Sequence, residues 1–195
     1  MAIQGQSVSS DTVSSNNALI NGDMVIWQRG TSIVSDSTPV VNDDDTYICD
    51  RWILLSDGDD IVDVTRSSTG YEGGSDFSCQ LEVETVDKKF GIVQIIEAVN
   101  CHDLIGGKVS LSFHAMVAGS GKLDNVKAAI VSWAGTGDSP TSDIVSAWAV
   151  EGTNPTLATS WTYENTPADL NVTSSMAEYK IENIEIDTSS TKNVA

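Results

Sequence analysis

Hydrophobic and polar positions alternate most cleanly between residues 77 and 84. Phe77, Cys79, Leu81 and Val83 fall on one phase, and Ser78, Gln80, Glu82 and Glu84 on the other. A period of two is the mark of a half-buried strand with one wet face. A second run follows, with Val109, Leu111, Phe113, Ala115 and Val117 set against Ser110, Ser112, His114 and Met116. Between them, residues 90–99 are apolar on both phases except at Gln94 and Glu97. The β-branched Ile92, Val93, Ile95 and Ile96 predict a strand covered on both faces. Residues 127–134 are expected beside the second alternating strand.

Shorter signals fill in the rest. Asn21-Gly22-Asp23 is turn-prone, and Met24-Val25-Ile26-Trp27 after it reads as a short strand. Asp50 to Leu55 and Ile61 to Arg66 read as the two arms of a hairpin. Its turn is Ser56-Asp57-Gly58-Asp59-Asp60, where Asp-Gly tolerates positive φ. Ile105-Gly106-Gly107 makes a tight turn. Near the end, Tyr179 and Ile181 are odd-numbered while Ile184 and Ile186 are even, so one strand must carry a bulge near Glu182-Asn183. Residues 30–46, 71–76, 135–143 and 151–175 read as loops. No segment sustains a 3.6-residue period, and no internal repeat is visible. The pattern predicts an all-β chain, an antiparallel two-sheet sandwich over residues 18–195. Residues 1–17 are too polar to offset their ordering entropy and read as a flexible N-terminal arm that docks on a partner.

Length and composition narrow this picture. A chain of 195 residues favours one domain with a sizeable core, and 40 % apolar content supports folding. No run of about 18 apolar residues predicts a membrane span. Met1-Ala2-Ile3-Gln4-Gly5-Gln6 lacks the features of a signal peptide, so synthesis in a cytoplasm is expected. The net charge of −18, from 28 acidic and 10 basic residues, repels phosphate backbones and anionic lipid. Nucleic acid and membrane are therefore not expected partners, whereas divalent cations are well tolerated. Cys49, Cys79 and Cys101 have no metal-type spacing, and their odd number argues against a disulfide framework. They read as inert small hydrophobes.

Two short motifs are more specific than anything above. Asn21-Gly22-Asp23-Met24-Val25-Ile26-Trp27-Gln28-Arg29-Gly30-Thr31 and Tyr47-Ile48-Cys49-Asp50-Arg51-Trp52 each set a tryptophan beside an arginine. Together they resemble the N-terminal hallmark of bacteriophage virion and tail-fibre proteins with a carbohydrate-binding-module-like, galactose-binding-like jelly roll. The stretches Gln94-Ile95-Ile96-Glu97 and Leu104 to Phe113 look like that family's central strand pair. Asn154-Pro155-Thr156-Leu157 and Ser160-Trp161 fall where such proteins carry a long loop. The resemblance implies a jelly-roll β-sandwich from about residue 18 onward. It also implies a non-enzymatic structural protein of the virion, exposed on capsid or tail as a decoration or fibre part. Glycan contact for attachment, association with other virion proteins, and a homo-oligomer such as a trimer would follow. Such domains normally end with two further strands after the one beginning near Asn193, so a truncated C-terminus is expected. The rival readings are a cement or adaptor protein without a ligand, and an accessory piece of a glycan-degrading tail enzyme.

Individual residues divide accordingly. Trp27, Arg29, Asp50, Arg51 and Trp52 form the structural signature, with the two tryptophans read as core. Arg29 and Arg51 are read as planar partners for carboxylates such as Asp50 or Asp23. Trp133, Trp148 and Trp161 lie nearer loops and are the candidate sugar platforms, with packing or a subunit interface as the alternative. The acid-rich stretches Asp43-Asp44-Asp45 and Asp57 to Asp60 suit a hard cation. A structural calcium is expected at Asp23, Asp57, Asp59 and Asp60, against the plainer reading of solvated turns. No catalytic residue is assigned. His102 and His114 are the only histidines, and Gly119-Ser120-Gly121 lacks the spacing of a nucleophile elbow.

Overall fold

A computed structural model describes residues 2–5, 16–34, 42–70, 74–118, 123 and 125–195. Among these residues the strands, numbered in chain order, pair antiparallel and form five sheets. The largest runs β14 (Ala177–Glu185), β9 (Lys108–Ala115), β1 (Ala2–Gly5), β2 (Asn16–Asn17). Two three-stranded sheets come from the first half of the chain. One is β3 (Ser32–Ile33), β6 (Val62–Ser67), β7 (Ser78–Val83), and the other β4 (Thr46–Tyr47), β5 (Ile53–Ser56), β8 (Phe90–Val93). A further three-stranded sheet, β13 (Trp161–Tyr163), β10 (Val131–Trp133), β15 (Asn193–Val194), joins β8's extension through a bridge between Ile96 and Val194. β11 (Val145–Ala147) and β12 (Thr156–Leu157) pair by themselves. The only helix among the described residues is α1 (Ala98–Cys101). The chain is thus all-β, and none of the sheets closes into a barrel.

The alternating runs form the strands they predict. In β7, Val83 is buried and Cys79 and Leu81 are half-buried, while Gln80 and Glu82 are exposed. In β9, Val109 and Leu111 are buried. The register of β14 against β9 shifts between Ile181 and Ile184, and Asn183 there takes φ 60°. The bulge frees the Asn183 amide, which donates to Ser110 Oγ at 3.2 Å. This lets Ile181 and Ile184 pack against one core from opposite sequence phases.

Four expectations are corrected. Residues 56–60 do not close a hairpin: β5 pairs with β4 and β8, while β6 pairs with β3 and β7, so the turn carries the chain between sheets. Gly58 (φ 125°) and Asp60 (φ 55°) supply the positive angles for that change of direction. The neighbours of β9 are β14 and β1, not residues 127–134, of which Val131–Trp133 form β10 and pair with β13 and β15. Residues 24–27 are not a strand, because Met24 (φ 53°) turns back to donate to the Asn21 carbonyl. The apolar run 90–99 is a strand only to Val93. Beyond it the Gln94 side chain bonds both backbone groups of Ile20, and residues 98–101 coil into α1. Of the segment read as an arm, residues 2–5 lie along β9 and residues 16–17 pair with them. The rest of that segment is outside the described residues.

Two apolar clusters lie on opposite faces of β5. Leu54 and its cross-strand partner Ile92 belong to the main core with Trp52, Val62, Val64, Val109, Leu111 and Ile130. Ile53, Leu55 and Val93 belong to the second cluster, with Val131, Trp133, Ile144 and Trp161. All four residues of β5 are buried, as expected of a strand covered on both sides. The C-terminal strand is pinned by Asn193, which is 1 % exposed. Its Nδ2 donates to the Ile96 carbonyl at 2.9 Å and to Asp138 Oδ1 at 3.3 Å, and its Oδ1 accepts from the Asp138 amide at 3.1 Å. Asn193→Ala strips buried groups of their partners and is expected to cost about 2–3 kcal/mol in urea unfolding. A loss below about 0.5 kcal/mol would mean this link is not a structural tie.

Candidate functional site

The two tryptophan–arginine motifs meet in space. Asn21 bridges them: its Nδ2 donates to the carbonyls of Ile26 and Asp50, both at 3.0 Å, and its Oδ1 accepts from the Ile26 amide at 2.9 Å. Asp50 Oδ2 accepts from the Gln28 amide at 2.7 Å. The indole of Trp52 donates to the Asn21 carbonyl at 3.1 Å, and that of Trp27 to the Met24 carbonyl at 2.7 Å. Both rings are in the main core. The arginines take other partners than Asp50 or Asp23. Arg51, held at φ 75°, pairs with Glu97 at 2.5 Å, and Arg29 stacks over the Tyr47 ring at 4.6 Å. Arg51 sits within the turn that the Trp52 amide closes on the Cys49 carbonyl, which aims it at Glu97 beside α1, a direction that spacing alone does not encode.

The candidate sugar platforms lie in the second cluster. Trp133 and Trp161 pack with ring centroids 5.3 Å apart and planes tilted by 50°. They are 7 % and 6 % exposed, and Trp148 is half-buried against the same cluster. Their indole nitrogens are engaged by the Thr136 carbonyl at 2.9 Å and by Thr141 Oγ1 at 3.2 Å. Gly135 covers the Trp133 ring so closely that any Cβ there would collide with it. The ring faces a sugar would stack on are therefore occupied by protein, and Trp148 is the most accessible of the three.

The acidic turns divide. Asp23 is exposed, and its carbonyl accepts from Ser75 Oγ. Asp57 faces Lys88 at 3.8 Å. Asp59 instead contacts Asp43, whose carboxyl, by hydrogen bonding and like charge, raises Asp59 above the usual carboxylate range. Asp44 is likewise raised, chiefly by burial, although its Oδ1 accepts from the Ser56 amide at 2.7 Å. Beside this group lies Asn42, with no exposed surface. Its Nδ2 faces Asp60 Oδ1 at 3.2 Å, the Val62 carbonyl at 3.1 Å and Asp63 Oδ1 at 3.0 Å, while its Oδ1 has no partner. Asn42 and Asp63 escape sequence reasoning because one is set in a polar loop and the other on the outward phase of a strand. Among the described residues, no three His, Cys, Asp or Glu side chains converge as a metal-ligand group. The expected quartet of Asp23, Asp57, Asp59 and Asp60 is not brought together.

The remaining chemistry-bearing groups are dispersed. Ser110 and Ser112 share with Glu178, Lys180 and Glu182 a surface depression of about 100 Å³ on the β9–β14 face. Lys180 is paired there with Glu178 at 2.9 Å. His114 stands opposite Glu178 in the same register, and the exposed His102 faces Asp103 at 3.4 Å. The three cysteines are free thiols. Burial pushes Cys101 up to about 11, Cys79 up to about 12, and Cys49, which also neighbours Cys79, higher still. Reactive thiols are lowered rather than raised. No described helix is long and apolar enough to cross a membrane. No family model matches the chain, and neither curated proteins nor solved structures compared with it give a match.

Proposed function

We propose that the chain is a non-enzymatic structural protein of a phage virion, a jelly-roll module exposed on capsid or tail. The observation that carries this reading is the junction of the two motifs on which the phage resemblance rests. Residues 32–46 separate them in sequence, yet Asn21 bonds Asp50 and Trp52, and Gln28 bonds Asp50, at the start of the fold. Residue types and spacing that serve one structural purpose support reading the pair as a single inherited unit. The two-sided burial of β5 is compatible with stacked sheets of a sandwich. The packing of Trp133 against Trp161 favours a part that works through surface contact with other virion proteins over one that stacks sugars on those rings.

Purified particles of the encoding phage, analysed by mass spectrometry and immunogold labelling, are expected to contain the chain in many copies on capsid or tail. Its absence from intact particles would sink the proposal. On a glycan array the purified protein is expected to show no binding. A hit abolished by Trp148→Ala would establish the attachment alternative instead.

A further inference from the structure

We propose that the outer edge of β14 docks a second copy of this chain, the two strands pairing antiparallel about a two-fold axis at Tyr179. This pairing does not depend on the virion reading. It also differs from the trimer that the resemblance implies, because a strand joined to its own copy closes at two.

β14 ends the largest sheet, with β9 on one side and no strand on the other. Among the described residues, its backbone hydrogen bonds to other strands or loops run to β9 alone. Every second residue of such a strand turns its N–H and C=O outward, a template for another chain. At nine residues β14 is also the longest strand described. The next longest edge, β7, has six, and its only charged residue is Glu82. A second β7 would bring acid near acid with no base to offset it.

The charges of β14 are self-complementary. Within Ala177-Glu178-Tyr179-Lys180-Ile181, a two-fold axis at Tyr179 sets Glu178 opposite the partner's Lys180, and Lys180 opposite the partner's Glu178. Both side chains are on the exposed face and already pair within one chain at 2.9 Å, so the four charges alternate around a square. An isolated edge lysine deters association; a glutamate two residues before it turns the deterrent into a match. On the opposite face Tyr179 meets its own copy, and Ala177 meets the partner's Ile181. These three are half-buried, with the Tyr179 ring centroid 6.1 Å from that of Phe113 and Ile181 packed on the main core. Pairing therefore extends an apolar surface that is already anchored.

Other registers fail on charge or on pleat. An axis at Glu178 or at Lys180 puts that residue against its own copy, like charge to like. An odd slip sets the exposed face of one strand against the core face of the other. An axis at Ile181 would match Lys180 with Glu182, but the bulge between Ile181 and Ile184 breaks the strand there. The bulge thereby limits the contact to Ala177–Ile181 on each side, at the small and reversible end of interfaces.

Sedimentation of the full chain from about 1 to 100 µM, in about 0.15 M salt to screen the net charge, is expected to show monomer passing to dimer. Glu178→Lys and Lys180→Glu each place like charges opposite and are expected to weaken dimerisation about tenfold or more. Mixed in equal amounts, the two variants are expected to pair with each other, since each supplies the charge the other lacks. Both positions are exposed, so circular dichroism is expected to show an intact fold. Glu82→Lys on β7 leaves dimerisation unchanged. A chain that stays monomeric across the range would overturn the proposal. So would a dimer that Glu178→Lys does not weaken, an equimolar mixture that stays monomeric, or assembly into threes.

Discussion

Trp52→Ala is expected to lose about 3–5 kcal/mol from lost burial and the cavity left behind. About 1 kcal/mol more follows from the stranded Asn21 carbonyl. Trp52 is fully buried and is among the largest such side chains of the main core. It packs at the place where the two motifs are joined, so its removal empties the core and loosens the junction together. Against a typical total of about 5–15 kcal/mol, such a loss leaves a domain of this kind marginal at room temperature. Urea unfolding followed by circular dichroism measures it directly. Trp27→Ala, at the 9 % exposed margin of the same cluster, is expected to cost less. Were the order reversed, the junction would not be anchored by Trp52.

The second large effect is alkaline. In the unfolded chain the three thiols ionise near 9, whereas in the folded protein Cys101 waits until about 11, Cys79 until about 12 and Cys49 beyond that. Folded-state values are raised, so their contribution is fully present below pH 9 and is lost as pH rises through the folded values. Between roughly pH 9 and 11 the unfolded chain sheds protons that the folded one keeps. Each thiol then removes at most about 1.4 kcal/mol per pH unit, or about 4 kcal/mol per unit for the three together. Urea midpoints measured from pH 8 to 11 are expected to fall along this slope, and Cys49→Ala to fall about one third less steeply. Identical slopes for the two proteins would show that Cys49 ionises freely in the folded state. Cys49 and Cys101 have no exposed surface, so alkylating reagents at pH 8 are expected to label these two only after unfolding.

Strand identity was legible where one face is wet, as in β7 and β9, because water imposes the period of two on the sequence. The bulge at Asn183 was legible for the same reason, since a change of phase inside one strand has few other causes. Pairing was not legible where both faces are dry. Nothing in Ile53-Leu54-Leu55 says whether its neighbour is β6 or β8, and the Asp-Gly turn after it fits a hairpin or a sheet-to-sheet passage equally well. Residues 24–27 and 94–99 depart from their strand propensity because side chains override it there: Asn21 draws the first into a turn, and Gln94 ends the second by bonding Ile20. Tryptophan depth was partly hidden, as loop position gives no hint that Trp133 and Trp161 stack on each other. The partners of Arg51 and the predicament of Asn42 depend on contacts across 46 and about 20 residues, which no local pattern records.

The placement of β5 between the two clusters has a consequence for how much this chain can vary. Leu54 answers to one core, and Ile53 and Leu55 answer to the other, so a substitution at any of them is felt on a face it does not occupy, through the shift of a shared backbone. The two clusters share no buried side chain but share the β5 backbone, so loosening of either is expected to be felt by the other. Change is therefore tolerated at the periphery, in the turns and acidic loops, and surface chemistry can drift there while the centre stays fixed.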